Sequence, residues 1–356
     1  MLKLSKKEIP GRKNLVYWLA KAIFTWGNKH LAEVHVEMPD SVRELKKKNS
    51  VFLYGGLHKS LWEASGILIS MHLENLPIPY PGMGDNLVKG KFFQSMAQKM
   101  GLFLIKRATT RREIIESARH LKNYLINLLA HGIDVLAYPE GTRTSIPTKG
   151  RYGDFFPTMF EAVLEYEKNK NEILTQNPNL INYDSYVIPF NIDYSKVRED
   201  REIIEGSKGK PRTLYIKDTL KMLKHIGPVY VSLGDPIKIA DNLDKRRKEL
   251  AVYTRERCLE LIKILPKNIV SCAILDAIAA GNTGPDGITA NISRNIEKLE
   301  SRRHCFREFS IDDDPRDILE KVAQKDKSYR DINEKDIELY RLYARYIGHY
   351  FDEIPG

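Results

Sequence analysis

The chain has 356 residues, 42% of them hydrophobic and 29% charged, with a formal net charge of +10. That composition excludes a disordered or fibrous protein, and the cationic excess points to an anionic partner: a phosphorylated substrate, an anionic membrane surface or nucleic acid. Cys258, Cys272 and Cys305 are too scattered for a disulfide framework or a structural zinc site, and no run of eighteen apolar residues predicts a transmembrane helix.

The N-terminus carries Lys3, Lys6 and Lys7, and its apolar stretch is broken by Lys21 without a convincing small-residue cleavage site, so no signal peptide is expected. From Asn14 to Trp26, Leu15, Trp18, Leu19, Ala22, Ile23 and Trp26 recur at helical spacing between basic flanks. Such a helix either lies in a membrane interface or packs on the core. A loop with Pro39 and a charged turn, Arg43 to Lys48, then lead into an apolar strand, Val51 to Tyr54. Gly55-Gly56 turns the chain out, and Ser60 with Glu63 has the spacing of a capping box opening a helix to Leu73. His58 falls in the turn between strand and helix.

Pro77, Pro79 and Pro81 end that helix, and residues 81–88, PGMGDNLV, are expected to form a glycine-rich loop. A helix over Phe92–Met100 closes at Gly101, and a strand from Gly101 ends in Lys106-Arg107. Thr110 and Glu113 make a second capping box for a helix running to about Ala130, with Gly132 as its stop. Ile133 to Tyr138 is a strand, and Pro139-Glu140-Gly141-Thr142-Arg143 turns out of it. After a helix from Pro157 to Asn169 comes a strand, Tyr186 to Ile192, whose Pro189 suggests an edge or a substrate-facing kink. Lys196 to Pro211 is polar and is expected to be a mobile insertion. Val229 to Leu233 is the last strand, before Gly234-Asp235-Pro236, and the chain beyond Asp241 is helical with a break at Gly281–Gly287.

Strand and helix alternate from 51 to 236, which predicts an α/β fold: a largely parallel central sheet flanked by helices, with an N-terminal amphipathic helix and a helical C-terminal extension. The expected domains are 1–45 (membrane contact), 46–240 (α/β core) and 241–356 (helical). Three strands end in polar clusters: His58 with Glu63, Lys106 with Arg107, and Glu140 with Arg143. In a parallel sheet those ends share one edge and would converge on one cleft. His58 and Glu63 stand about 140° apart on a continuous helix, so they meet only if His58 precedes the helix and folds back over its first turn. There the carboxylate would hold one imidazole nitrogen while the other takes a proton, as in general-base catalysis; alternatively, Glu63 serves only the helix cap. Lys59-Ser60 lacks the glycines of a phosphate loop.

His58-x4-Glu63, Gly101-Leu-Phe-Leu-Ile-Lys-Arg107, Tyr138-Pro-Glu-Gly-Thr-Arg143 and Val187-Ile-Pro-Phe190 resemble, in order and spacing, the four motifs of the glycerolipid acyltransferases. Gly84-Asp-Asn-Leu87, Gly234-Asp-Pro236 and the helical tail make the resemblance strongest to the glycerol-3-phosphate and dihydroxyacetone-phosphate acyltransferases. The resemblance implies an enzyme that moves a fatty acyl group from acyl-CoA or acyl carrier protein to a hydroxyl of glycerol 3-phosphate. His58 would be the base, with Glu63 fixing its tautomer. Lys106, Arg107 and Arg143 would grip the phosphate, Glu140 and Gly141 would meet the glycerol moiety, and Pro189 would shape the wall near the acyl chain. It implies no metal, no bound cofactor and no covalent acyl-enzyme. It also implies a peripheral position at the cytoplasmic face of a membrane, with an anionic membrane surface as partner. No nucleic acid is expected, because the basic residues are spread along the chain with acidic ones between them and no nucleic-acid motif appears.

One departure stands out. The family's first motif ends in Asp, whereas Glu63 occupies that place here, and a displacement of 1 Å in a catalytic group can cost about 10²-fold in rate. A shifted helix start would accommodate the longer side chain. Other readings remain: acylation of lysophosphatidic acid or dihydroxyacetone phosphate, or a catalytically weak lipid-binding relative.

Overall fold

A computed structural model of the protein describes residues 32–60, 62–85, 101–106, 110–141, 152–207 and 227–351, with Ala22, Trp26 and Ser95 as isolated positions. Those three are helical, and Ala22 and Trp26 are exposed. The rest of the expected helices over Asn14–Trp26 and Phe92–Met100 lies outside the described residues.

The described strands are β1 (Glu33–Glu37), β2 (Ser50–Gly56), β3 (Tyr80–Gly84), β4 (Phe103–Ile105), β5 (Val135–Ala137), β6 (Asp184–Tyr194), β7 (Pro228–Leu233) and β8 (Ile237–Lys238). The helices are α1 (Asp40–Lys46), α2 (Glu63–Leu73), α3 (Arg111–Ala130), α4 (Thr158–Gln176), α5 (Asp200–Ser207), α6 (Arg247–Glu260), α7 (Pro266–Ala279), α8 (Pro285–Lys298), α9 (Pro315–Lys325), α10 (Lys327–Arg330) and α11 (Ile337–Arg345). The chain divides into two compact units. The first comprises Met1–Thr142, Asp154–Ile192 and Val231–Glu260; the second comprises Arg143–Gly153, Asp193–Tyr230 and Leu261–Gly356.

The sheet runs in the order β1-β7-β6-β2-β5-β3-β4, with β8 also beside β6. The β2/β5, β2/β6, β3/β5 and β3/β4 pairs are parallel, as the alternation of strands and helices predicts. Every residue of β2 is buried, which suits its continuous apolar sequence to an inner parallel strand. Below it, Asp134 accepts hydrogen bonds from the Phe52 N–H (2.9 Å) and the Lys46 ammonium (2.6 Å), tying α1 to the strands.

Four local expectations are corrected. Residues 80–84 form β3 instead of a glycine loop, because Gly82 lets the backbone lie against Phe103; a Cβ there would stand 2.7 Å from its ring. The charged turn before β2 is helix α1, with Val42 buried beneath it. The expected mobile insertion holds α5, whose Ile203 and Ile204 are buried.

Pro189 is not on an edge, since β6 lies between β7 and β2. Its carbonyl accepts from the Gly234 N–H (2.8 Å), and the Ser195 N–H reaches the Pro228 carbonyl (3.3 Å), so β7 runs antiparallel to β6. β8 does so too, through Tyr186 and Val187. Pro189 therefore faces the turn where the chain leaves β7 for β8. The N–H it lacks would point to the same side as its carbonyl, so the ladder to β2 loses nothing.

In the second unit, α7 is buried along almost its whole length and packs on α8, α9 and α11. The Lys267 ammonium lies 2.8 Å from Asp326 and 4.0 Å from the centre of the Tyr343 ring. The Tyr343 hydroxyl donates to Asp200 (3.0 Å) and accepts from the Val197 N–H (2.9 Å). A buried charge surrounded in this way fixes the packing of several helices at once.

Candidate active site

Past Gly56 the chain leaves β2, and α2 begins only at Glu63, with Trp62 as its N-cap. Ser60 Oγ accepts from the Trp62 N–H (3.1 Å), just ahead of the first helical turn. Glu63 Oε1 turns back to accept from the N–H groups of Ser60 (3.0 Å) and Lys59. Its other oxygen, Oε2, lies 2.6 Å from His58 Nδ1. The fold-back of His58 over the first helical turn is thus observed, and Glu63 serves both the cap and the imidazole.

Electrostatics fix the roles within the pair. Glu63 is fully buried and accepts backbone hydrogen bonds, an arrangement that suits an ionised carboxylate. An ionised Glu63 makes Nδ1 the donor and leaves the lone pair on Nε2. The His58 side chain keeps 17% of its surface exposed, against 1% for Glu63, so the ring rather than the acid faces outward.

The second turn meets the first. Gly55 pairs with Ala137, and three residues beyond each lie His58 and Glu140. Glu140 is buried, and its Oε1 accepts from the His58 N–H (2.9 Å). Glu140 thus holds the backbone of the first motif, while Arg143 and Arg107 lie outside the described residues.

Gly141 closes this turn, donating to the Tyr138 carbonyl (3.0 Å) with φ at +67°, a region that favours glycine. A Cβ there would stand 2.9 Å from Phe156. Tyr138, which the sequence did not single out, lies face to face with His58, ring centres 4.5 Å apart and planes 21° apart. Phe190 meets the Tyr138 ring edge-on at 5.7 Å. Burial, with the Glu63 charge beside it, pushes the Tyr138 hydroxyl well above its ordinary pKa. That hydroxyl is buried without a hydrogen-bond partner among the described residues. Pro189 pairs with Gly55 in the row just below the site.

The same register reaches Lys106. Pro81 pairs with Leu136, so Gly82 is level with Ala137, and Gly82 pairs with Phe103. Lys106 is therefore also three residues past the row that precedes His58 and Glu140. It is exposed and stands three strands from His58, on the order of 14 Å at strand spacing.

The fold and these turns define an α/β protein with a histidine–carboxylate pair at the C-terminal ends of parallel strands, where such folds place their chemistry. No protein-family model matches the chain. Among curated proteins it is 26% identical over 232 residues to the glycerol-3-phosphate acyltransferase of Hamiltonella defensa subsp. Acyrthosiphon pisum (strain 5AT), covering 64% of this chain and 26% of that protein. It is 25% identical over 235 residues to the enzyme of that name from Pseudoalteromonas translucida, and 24% over 242 residues to that of Alteromonas mediterranea. The chain thus spans about a quarter of the length of these relatives, 26% and 27% of the last two. Their common name supports a family relationship with the acyltransferases.

Proposed function

We propose that the protein transfers a fatty acyl group from a thioester donor, acyl-CoA or acyl carrier protein, to a hydroxyl of glycerol 3-phosphate. The observation that carries this reading is the 2.6 Å contact between His58 Nδ1 and a buried Glu63 carboxylate. It orients a base and stabilises the imidazolium that forms when the base is used. His58 Nε2 takes the proton of the acceptor hydroxyl as its oxygen attacks the thioester carbonyl. The tetrahedral intermediate collapses, the carbon–sulfur bond breaks, and the imidazolium returns its proton to the leaving thiolate. The products are an ester and a free thiol, and a positioned base contributes about 10²–10⁴ to such a rate.

Lys106 is assigned to the acceptor phosphate together with Arg107 and Arg143, the arginines by bidentate hydrogen bonds. Gly141 gives the glycerol moiety close approach to the backbone, and Pro189 supports the wall beneath the acyl chain. The names of the relatives favour glycerol 3-phosphate over lysophosphatidic acid or dihydroxyacetone phosphate. The net charge of +10 favours work at an anionic membrane surface. No helix among the described residues is long and apolar enough to cross a membrane.

The test is thiol release from acyl-CoA and from acyl carrier protein with each of the three acceptors, using purified wild type and His58→Ala. Thiol release dependent on glycerol 3-phosphate and abolished by the substitution supports the proposal. Activity that survives the substitution, or transfer to lysophosphatidic acid alone, refutes it.

A further inference from the structure

Helix α3 has two kinds of surroundings along its length. Its last six residues, Leu125 to Ala130, are all buried, and Lys122 holds Glu161 and Glu165 of α4 at 3.2 and 2.6 Å. Its front half stands out from this base. There Ile114 is 52% exposed and Ile115 60%, two adjacent β-branched side chains in water.

The charges around them are ordered. Arg111, Ile115 and Arg119 follow one another at four-residue intervals and so form one stripe, all three exposed. The acids of this segment turn elsewhere: Glu113 accepts from the Thr110 N–H (3.2 Å), and Glu116 pairs with Arg112 (3.0 Å). The outer stripe thus offers an isoleucine between two arginines, with Ile114 beside it. α3 follows β4, so its front lies at the sheet edge from which His58 and Glu140 turn out. The helix N-terminus adds its own partial positive charge there.

We propose that the front of α3 is a docking surface for an anionic bilayer. Ile114 and Ile115 enter the boundary between headgroups and acyl chains, and Arg111 and Arg119 meet lipid phosphates. An apolar pair within a cationic collar fits this occupant better than a protein surface, because it matches both layers of the lipid interface. The inference deepens the acyltransfer reading by giving the enzyme a membrane-facing side, yet its test needs no turnover.

The experiment is co-sedimentation of the full chain with phosphatidylcholine vesicles containing or lacking about a third phosphatidylglycerol, at low and high salt. Wild type should bind the anionic vesicles and lose binding as salt screens the charges. Arg111→Ala with Arg119→Ala should weaken partitioning about 25-fold, since each cation contributes roughly a fivefold factor. Ile114→Ser with Ile115→Ser should weaken it on the order of tenfold at both salt concentrations. All four positions are exposed, so circular dichroism should show the wild-type fold.

Unchanged vesicle binding in both double variants overturns the inference, as does absence of binding by wild type. So does a wild-type dimer that the isoleucine variant disperses, since the occupant would then be a second copy. Vesicle binding without any acyl transfer would sink the proposed reaction and leave the docking surface standing.

Discussion

The ring of His58 lies on the ring of Tyr138, centres 4.5 Å apart, while Glu63 holds the Nδ1 atom at the imidazole edge. Two contacts at right angles thus restrict the imidazole: the carboxylate sets its direction and the phenol ring sets its plane. Tyr138→Phe keeps the face and should retain activity within about threefold. Tyr138→Leu removes the stacked face and should lower kcat by about tenfold to a hundredfold with little change in KM, the cost of a loosened reacting group. Steady-state kinetics of the two variants decide the point.

Glu63 gives a sharper test, because its length is built into the turn. Its two oxygens reach the N–H groups of Lys59 and Ser60 and the His58 ring at once. Glu63→Asp retracts the carboxylate and should lower kcat about 10²-fold although the charge is kept. Glu63→Gln should cost at least as much, since a neutral amide cannot stabilise the imidazolium. An aspartate variant as active as wild type would show that the helix start readily adjusts.

The Lys267–Asp326 pair predicts both a stability and a pH dependence in the second unit. Removing one member strands a buried charge, so Asp326→Asn should destabilise by about 3–5 kcal/mol in denaturant unfolding. Burial pushes the Asp326 carboxyl up, yet the charge and hydrogen bond of Lys267 and the Ser328 N–H together hold it below its ordinary value of 3.8. A lowered carboxylate pKa stabilises the fold above the unfolded value, and that contribution disappears as pH falls through the folded one. The gap between wild type and variant should therefore hold steady from about pH 5 to neutrality and narrow in the acid range below 3.8.

Cysteine chemistry should be silent in the native state. Cys258 donates its thiol hydrogen to the Gly55 carbonyl (3.2 Å), and burial pushes this thiol and that of Cys272 far above the ordinary range. A thiol held protonated is a poor nucleophile. Incubation with N-ethylmaleimide should leave acyl transfer unchanged, and mass spectrometry should find Cys258 and Cys272 labelled only after denaturation.

Gly141 tests the turn itself. With φ at +67° and Phe156 at 2.9 Å from a modest Cβ, Gly141→Ala should cost about 1–2 kcal/mol from the backbone alone. Displacement of Glu140, the partner of the His58 N–H, should reduce activity as well. Thermal unfolding and kinetics of this variant measure the two effects separately.

The alternation of strands and helices was legible because β2 and β5 are short apolar runs ended by glycine and proline turns, and β6 carries the apolar run Tyr186–Phe190. The His58–Glu63 contact was legible too, since the glycine pair makes the necessary fold-back possible. β3 was hidden because glycine and proline read as loop, and only the Phe103 ring beside Gly82 makes an extended backbone favourable there. The bond from the His58 N–H to Glu140 joins residues 82 positions apart, so it depends on β2 and β5 being neighbours and on their register. Pro189 misled for a similar reason: the turn opposite it comes from a segment more than forty residues further along.

The uneven setting of α3 bears on how that helix opens. Amide hydrogens near Leu125–Ala130 should be released to deuterium only when the core gives way, whereas those near Ile114 should need only the fraying of an outer turn. One continuous helix thus spans the range from near-global to merely local protection. Contact with a lipid surface would slow exchange at its tip and leave its base untouched.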